Sequence, residues 1–235
     1  MRALERLAGI LESVASSPQP MAPTAVTAST GLSLSTAARM MQQMADAGLL
    51  TRDSSSGTYT LGPRVFAIAH AGMHQYGLRS RARPVIEELR DRSGETASLH
   101  VRAGSQRICV DMAPSNHSVS RLVTVGSAHS LIGSATGDVL LTWAPATERA
   151  TLLAGAGHDR EAVEADIART KQAGFSLSVN RWAQGVVSIS APVARGEVAI
   201  GALSVSGPSD RFTPQLAERF APQLMAAGQR LALTL

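Results

Sequence analysis

Residues 31–50, GLSLSTAARMMQQMADAGLL, are the stretch on which the reading of this chain turns. Ser33 and Ser35 are both candidate helix caps, because a short side-chain oxygen at a helix start accepts from the unpaired N–H groups of the first turn. Gly48 stands where a left-handed residue would close the last carbonyls. Between these marks Ala37, Met40, Met41, Met44 and Ala45 recur every three or four residues, an apolar stripe that predicts one amphipathic helix. The opposite side carries Ser35, Thr36, Arg39, Gln42 and Gln43, short donors first and long ones later. Such a face suits phosphates and base edges, and it is equally what a solvated helix presents. The flanking sequence separates the two readings.

Upstream, Leu4, Leu7, Ala8, Leu11 and Val14 mark a first helix, and residues 16–20 (SSPQP) break it. Residues 23–30 form a short second helix, and Gly31 turns the chain into the third. Two short helices across a glycine turn have the pattern of a helix-turn-helix, whose second helix enters a major groove. Downstream, residues 49–52 and 58–61 flank the polar turn 53–57 and predict a β-hairpin wing, with Arg52 and Arg64 flanking it as expected contacts to the phosphate backbone.

The 235 residues are 44% apolar and 17% charged, enough for two cores. A single cysteine, Cys109, excludes an intrachain disulfide and points to a reducing compartment, by default the cytoplasm. No apolar run reaches the roughly 18–20 residues that span a bilayer, so no membrane role is expected. The start of the chain lacks the continuous apolar core of a signal peptide. The net charge of +4 is unevenly placed. Arg2, Arg6, Arg39, Arg52, Arg64, Arg79, Arg81 and Arg83 face only Glu5, Glu12, Asp46 and Asp53 in the first 83 residues, and the remainder is neutral. A phosphate polymer, double-stranded DNA, is the partner this asymmetry favours, and it selects the DNA-reading interpretation of the third helix.

Residues 65–75 are apolar and helical in pattern, and residues 78–92 form another helix with Pro84, Val85, Ile86 and Leu89 on or near its buried side. Arg79, Arg81 and Arg83 could contact DNA or simply solubilise the junction. An apolar helix between domains needs something to pack on, and self-association is the obvious candidate. From residue 93 the texture changes. Residues 96–101 and 106–112 read as a hairpin around Ala103-Gly104-Ser105, residues 118–125 as a strand, residues 135–143 and 160–173 as helices. Residues 186–193 and 198–205 read as adjacent strands, and residues 211–235 as a last helix that Pro222 should bend or break. Strands and helices that do not alternate as βαβ units indicate an α+β domain on an antiparallel sheet. The expected division is residues 1–64, a linker helix at 65–82, and residues 83–235. Alternation over residues 201–206 places Ala202, Ser204 and Ser206 on one sheet face and Leu203 and Val205 on the other. Ser204 and Ser206 are then either a solvated edge or a polar lining. His100 shares a face with Ser98 and Thr96 and is either a pocket base or solvent-facing. His129 is equally open. Trp143 and Trp182 are expected in core packing.

The winged helix-turn-helix sequence, together with SGETASLHV, VTVGSAHSLIGSATGDVLL, QAGFSLSVNRWAQGVVSISAPV and GALSVSGPSDRF, resembles the IclR-type bacterial transcription regulators over essentially the whole chain. The resemblance implies a C-terminal sensor domain similar to the GAF fold, with a small-molecule effector pocket on one sheet face. It also implies homodimers, some of them paired into tetramers. Ser35, Thr36 and Arg39 match the family pattern, but Ser33 and Leu34 stand where the family commonly has a proline and a basic residue. Ser204 and Ser206 match ligand-contacting positions. The family's pocket cysteine falls at Ser188 and its acidic residue at Ser178. Gly133, Ser134 and Ala135 occupy a loop whose N–H groups precede a helix, a place suited to a carboxylate. The expected function is therefore a DNA-binding regulator whose operator affinity responds to an organic or aromatic acid.

A serine-dependent hydrolase is the competing reading. The sequence has no G-x-S-x-G elbow and no serine at a recognisable spacing from a histidine and a carboxylate. Residues 155–157 (Gly-Ala-Gly) lack the third glycine of a nucleotide loop. The six histidines and one cysteine show no cluster of three ligands, so no metal or other cofactor is expected.

Overall fold

The three N-terminal helices form where their punctuation placed them. In the computed structural model, which describes residues 3–121, 123–154 and 160–235, α1 spans Ala3–Ser16, α2 Pro23–Thr30 and α3 Leu34–Asp46. Gly31 closes α2 at φ +69°, a backbone that side-chain-bearing residues rarely adopt, and its N–H reaches the Thr27 carbonyl. Ser33, not Ser35, caps α3: its Oγ accepts from the Thr36 N–H at 3.4 Å. The strands β1 (Leu50–Arg52) and β2 (Tyr59–Leu61) pair antiparallel. Met21 forms an isolated antiparallel bridge to Tyr59, which the sequence did not disclose. The unit packs around Ile10, Val14, Val26, Ala37, Met41, Met44, Leu50 and Tyr59. The inward face of α1 thus runs through Ile10, and Leu4, expected inside, is 79% exposed. α4 follows as Pro63–Tyr76.

The chain divides into two compact units, residues 1–76 and 77–235. The second starts with α5 (Leu78–Ser93) and builds one six-stranded antiparallel sheet in the order β5-β4-β3-β8-β7-β6. Its strands are β3 (Thr96–Ala103), β4 (Gln106–Ala113), β5 (Ala128–Ser130), β6 (Ser176–Val179), β7 (Val186–Arg195) and β8 (Val198–Pro208). One face is covered by α5 and by α9 (Pro214–Thr234) through Ile86, Leu89, Leu99, Ile189, Leu203, Val205, Phe220 and Leu224. The other face meets α6 (Ala135–Thr142) and a smaller cluster of Leu131, Val139, Leu140, Leu141, Val163 and Ala202. The helices α7 (Ala146–Ala154) and α8 (Arg160–Ala173) complete the unit. Leu203 and Val205 lie with the first cluster and Ala202 with the second, as alternation along β8 requires.

Two expectations need correction. The described residues of 118–125 form no strand; they run as a strap, with the Arg121 carbonyl taken by the Thr96 hydroxyl at 2.7 Å instead of by a sheet neighbour. Leu122 lies outside the described residues, as do residues 155–157. Pro222 does not break α9, because it faces solvent on the side away from Ala221 and Leu224, where water can take the carbonyl that it leaves unpaired. Pro84 in α5 is likewise exposed. Arg79 and Arg83 both reach Asp111 on β4, at 3.6 and 3.4 Å, and Arg83 also holds the Met112 carbonyl at 2.9 Å.

Candidate functional site

Two surfaces carry unexplained polarity, one in each unit. On α3 the exposed side presents Ser35, Arg39, Gln42 and Gln43, with Thr36 half-buried at its edge. Thr36 receives the Ser33 hydroxyl at 2.8 Å, so the first turn is held by its own side chains. Gln42 is tied back to Asp46 at 2.8 Å and receives the Tyr59 hydroxyl at 3.4 Å, which joins the helix to the hairpin. Arg64 turns onto the C-terminal end of α3 and donates to the Ala47 carbonyl at 3.1 Å. Arg39 and Arg52 remain exposed. Leu34, at the position where the family commonly has a basic residue, is 51% exposed at the start of the helix. Asp53 fixes the hairpin turn by accepting from the Ser55 hydroxyl and N–H and the Ser56 hydroxyl, which hold its carboxyl down to about 2.

In the second unit the sheet face toward α6 is paved with hydroxyls. Ser98, Ser204, Ser190 and Ser176 stand opposite one another across β3, β8, β7 and β6, and Thr96, Ser206, Ser188 and Ser178 form a parallel row. Residues directly opposite on neighbouring strands share a face, so each row is continuous. A buried hydroxyl must be hydrogen-bonded to be tolerated. Ser204 donates to the Ile189 carbonyl at 3.2 Å, Ser190 meets Thr136 at 3.0 Å, and Ser176 donates to Asp138 at 2.8 Å.

Over part of this floor lies a cavity of about 240 Å³, lined by Ser98, His100, Ser188, Ser204 and Ser206 below and by Arg107, Arg121, Val123, Thr124, Ser127, His129, Ser134, Thr136, Trp182 and Val186 around it. Ser134 is the cap of α6 and accepts from the Gly137 N–H at 3.1 Å. Gly137 lets this helix start against the Leu131 backbone, since a Cβ there would run into the Leu131 carbonyl oxygen. Of the pocket residues expected from sequence, Ser134, Ser188, Ser204 and Ser206 meet at the cavity. Gly133, Ala135 and Ser178 do not line it: Ala135 is fully buried in α6, Gly133 sits in the turn before the cap, and Ser178 lies one strand farther out, opposite Ser188.

The charged members of the lining went unnoticed in the sequence. Arg107 is only 6% exposed, its guanidinium lies 4.7 Å above the Trp182 ring, and its Nε has no hydrogen-bond partner among the described residues. Burial, with Arg121 nearby, pulls its proton affinity down to about 10. His100 is buried, bonded to Ser98 at 3.0 Å through Nε2, and its Nδ1 has no partner among the described residues. Burial first, then the fields of Arg107, His129 and Arg121, depress it to about 3, so the ring is neutral at physiological pH. Burial and the same arginines also lower His129, which sits edge-on to Trp182 at 4.7 Å. His100 is thus a cavity residue and not solvent-facing. Trp182 walls the cavity instead of filling a core, because the buried arginine occupies its face. Trp143 does pack in the α6–α8 cluster.

Behind the wall, Arg181 bridges Asp138 of α6 at 2.8 Å and Asp166 of α8 at 2.6 Å. Burial raises Asp138 although Arg181 and Ser176 oppose the shift. Among the described residues no three His, Cys, Asp or Glu side chains gather where they could hold a metal ion, and no helix is long and apolar enough to cross a membrane.

Comparison with known proteins assigns both units. The family model described as the IclR helix-turn-helix domain matches residues 3–54, and that described as bacterial transcriptional regulator IclR C-terminal matches residues 70–233. The chain is 28% identical over 222 residues to the glycerol operon regulatory protein of Streptomyces griseus, an alignment covering 91% of this chain and 87% of the relative. An IclR family transcriptional regulator from Brucella abortus has the same fold, with a TM-score of 0.82 at 20% identity over 100% of this chain and 92% of that one. An IclR homologue of Microbacterium hydrocarbonoxydans, crystallised with 4-hydroxybenzoate, gives a TM-score of 0.75 at 22% identity over 99% of both chains.

Proposed function

This chain belongs to the IclR family of bacterial transcriptional regulators, with a helix-turn-helix DNA-binding unit and an effector-binding domain, and from that premise we propose how its own residues divide the work. A homodimer presents two copies of α3 to successive major grooves of a pseudo-palindromic operator in the cytoplasm. Ser35, Thr36 and Arg39 make the principal contacts, with Gln43 and Arg52 secondary, and Gln42 and Arg64 brace the helix against the hairpin and its own C-terminus. Phe66 and Ile68 of α4, 63% and 59% exposed, support self-association, since exposed apolar groups of this size favour a partner.

The effector is an organic acid that enters the cavity of the second unit, and the observation that carries this is Arg107, a buried guanidinium aimed at a hydroxyl-paved space. A neutral ligand would leave that charge desolvated. The acid binds the two DNA-affinity states unequally, and by linkage that difference sets the size and sign of the transcriptional response. The Ser98–His100 pair favours no hydrolase. His100 lacks an acceptor to orient its Nδ1, and a ring that protonates only near 3 is a poor base for a serine proton.

The test is fluorescence anisotropy on operator DNA, with acids first selected by thermal shift. A binding acid that alters operator affinity supports the reading, and the direction of the change distinguishes release from tightening. Replacing Ser204 and Ser206 together with leucine should abolish that acid's binding by calorimetry. Undiminished binding would remove the cavity from the account.

A further inference from the structure

We infer that the acid this cavity takes carries hydroxyls along its chain: a short polyhydroxy acid whose carboxylate meets Arg107 while its hydroxyls meet His100, Ser188 and Ser206. This deepens, and rests on, the reading of the cavity as the effector site. Hydrocarbon is scarce around it. Val123 and Val186 are the aliphatic members of the described lining, and the Trp182 ring is already engaged by Arg107 and His129. Every other described residue of the lining ends in a hydroxyl, an imidazole or a guanidinium group.

The polar groups of the floor are not all satisfied within the protein. His100 is 3% exposed, and its one bond among the described residues, to Ser98 at 3.0 Å, uses Nε2 and leaves Nδ1 unpaired. Ser188 and Ser206 stand directly opposite one another on β7 and β8 and front the cavity together. Ser204 and Thr136 nearby are tied to the Ile189 carbonyl and to Ser190. The Ser188 and Ser206 hydroxyls have no such tie among the described residues. An apolar chain laid over these groups would displace their water and offer no bond in return. A ligand hydroxyl both donates and accepts, so it satisfies Nδ1 in either tautomer of the neutral ring, and either serine in either sense. A carboxylate only accepts, and its place is Arg107, whose unpaired Nε–H only donates and whose charge strengthens the bond. His100 lies on β3 and Ser188 on β7, two strands away and roughly 10 Å across the sheet, so one hydroxyl cannot serve both and a chain bearing several can.

The experiment is calorimetry on the full chain at pH 7 and fixed ionic strength with acids matched in length: gluconate and galactonate against hexanoate, and threonate against butanoate. At least one hydroxylated acid is expected to bind ~10-fold or more tightly than its bare counterpart, the effect of one or two added hydrogen bonds. Ser188→Ala together with Ser206→Ala should cut that advantage at least ~3-fold while leaving the bare acid within ~3-fold of its parental affinity. His100→Leu should do the same, and His100→Asn, which restores a polar atom near the Nδ1 position, should keep part of the advantage. Bare acids that bind as tightly as all their hydroxylated counterparts overturn the inference. So does an advantage untouched by the alanine pair, which removes only two cavity-facing oxygens and decides the matter if His100→Leu does not fold. Sorbitol binding as tightly as gluconate would leave the carboxylate idle, and the acid reading would fail together with the inference. If hexanoate or butanoate binds in a way that the Ser204 and Ser206 leucine variant abolishes, but hydroxyls add nothing, only the hydroxyl inference fails. If no acid binds, or if binding ignores that variant, the effector-site reading fails with it.

Discussion

Replacing Arg107 with methionine should make the acid-free protein more stable and insensitive to acids. The fall of the Arg107 proton affinity from the ordinary guanidinium range to about 10 corresponds to about 3 kcal/mol, most of it charge desolvation with a smaller part from Arg121. That full penalty is present at pH 7, because both folded and unfolded chains carry the proton there. The guanidinium recovers about 1–2 kcal/mol from the Trp182 face 4.7 Å away. Methionine keeps an unbranched stem of similar reach and loses both contributions. The net gain is about 1–2 kcal/mol, which raises the melting temperature of a unit of this size by roughly 2–8 °C. Differential scanning calorimetry of the full chain at pH 7 measures it, with and without an acid that stabilises the parent. The parent's transition should climb with acid and the variant's should stay where it is. If the variant melts below the parent, the guanidinium is already satisfied within the protein, and the picture of an uncompensated buried charge is refuted.

Two further outcomes follow from other residues. His100 is depressed to about 3 against an ordinary 6.5, so on acidification the unfolded chain takes up this proton before the folded one. Stability that is complete above about 6.5 is therefore lost as pH falls toward 3, by about 1.4 kcal/mol per pH unit for this group. His100→Asn should remove about 2–3 kcal/mol of the difference between urea unfolding at pH 6.5 and at pH 4.5, and an unchanged difference would mean that His100 is hydrated in the folded protein. Arg39→Ala should weaken operator binding at least ~10-fold at fixed salt, with the thermal melt of the first unit unmoved; a gel-shift titration indistinguishable from the parent would release Arg39 from the interface.

The first unit was legible because its signals are local. Gly31, Ser33 and Gly48 each punctuate a helix within a few residues of the apolar stripe they bound, and the hairpin announces itself in residues 53–57. The floor of the cavity was half legible: alternation along β8 placed Ser204 and Ser206 on the face opposite Leu203. Arg107 was not legible, and the reason is a bulge. His100 pairs with Cys109 and Leu99 with Asp111, so Val110 is an extra residue and β4 changes face in mid-strand. Arg107 and Cys109 therefore face the His100 side, while Asp111 and Ala113 face α5. A regular alternation through Gln-Arg-Ile-Cys-Val-Asp-Met instead reads Arg107 and Asp111 as one solvent face. Arg121 lies 14 residues farther along the chain and reaches the site on a strap whose Arg121 and Val119 carbonyls are taken by the Thr96 hydroxyl and by Arg211, contacts with no sequence period. Trp182 was misread for the same reason, since its partner Arg107 is distant in the chain.

The two hydroxyl rows have a consequence for how such a sensor can change its ligand. Along β3, β7 and β8 these hydroxyls alternate with Ala97, Val187, Ile189, Leu203 and Val205, which point through the sheet to the α5–α9 core. One base change in a codon can swap a cavity-facing serine such as Ser188, Ser204 or Ser206 for a methyl, a thiol or a larger group while the side chains of the opposite layer stay as they are. Selection can therefore revise what the protein detects in small inherited steps, one position at a time, without first passing through a chain that fails to fold.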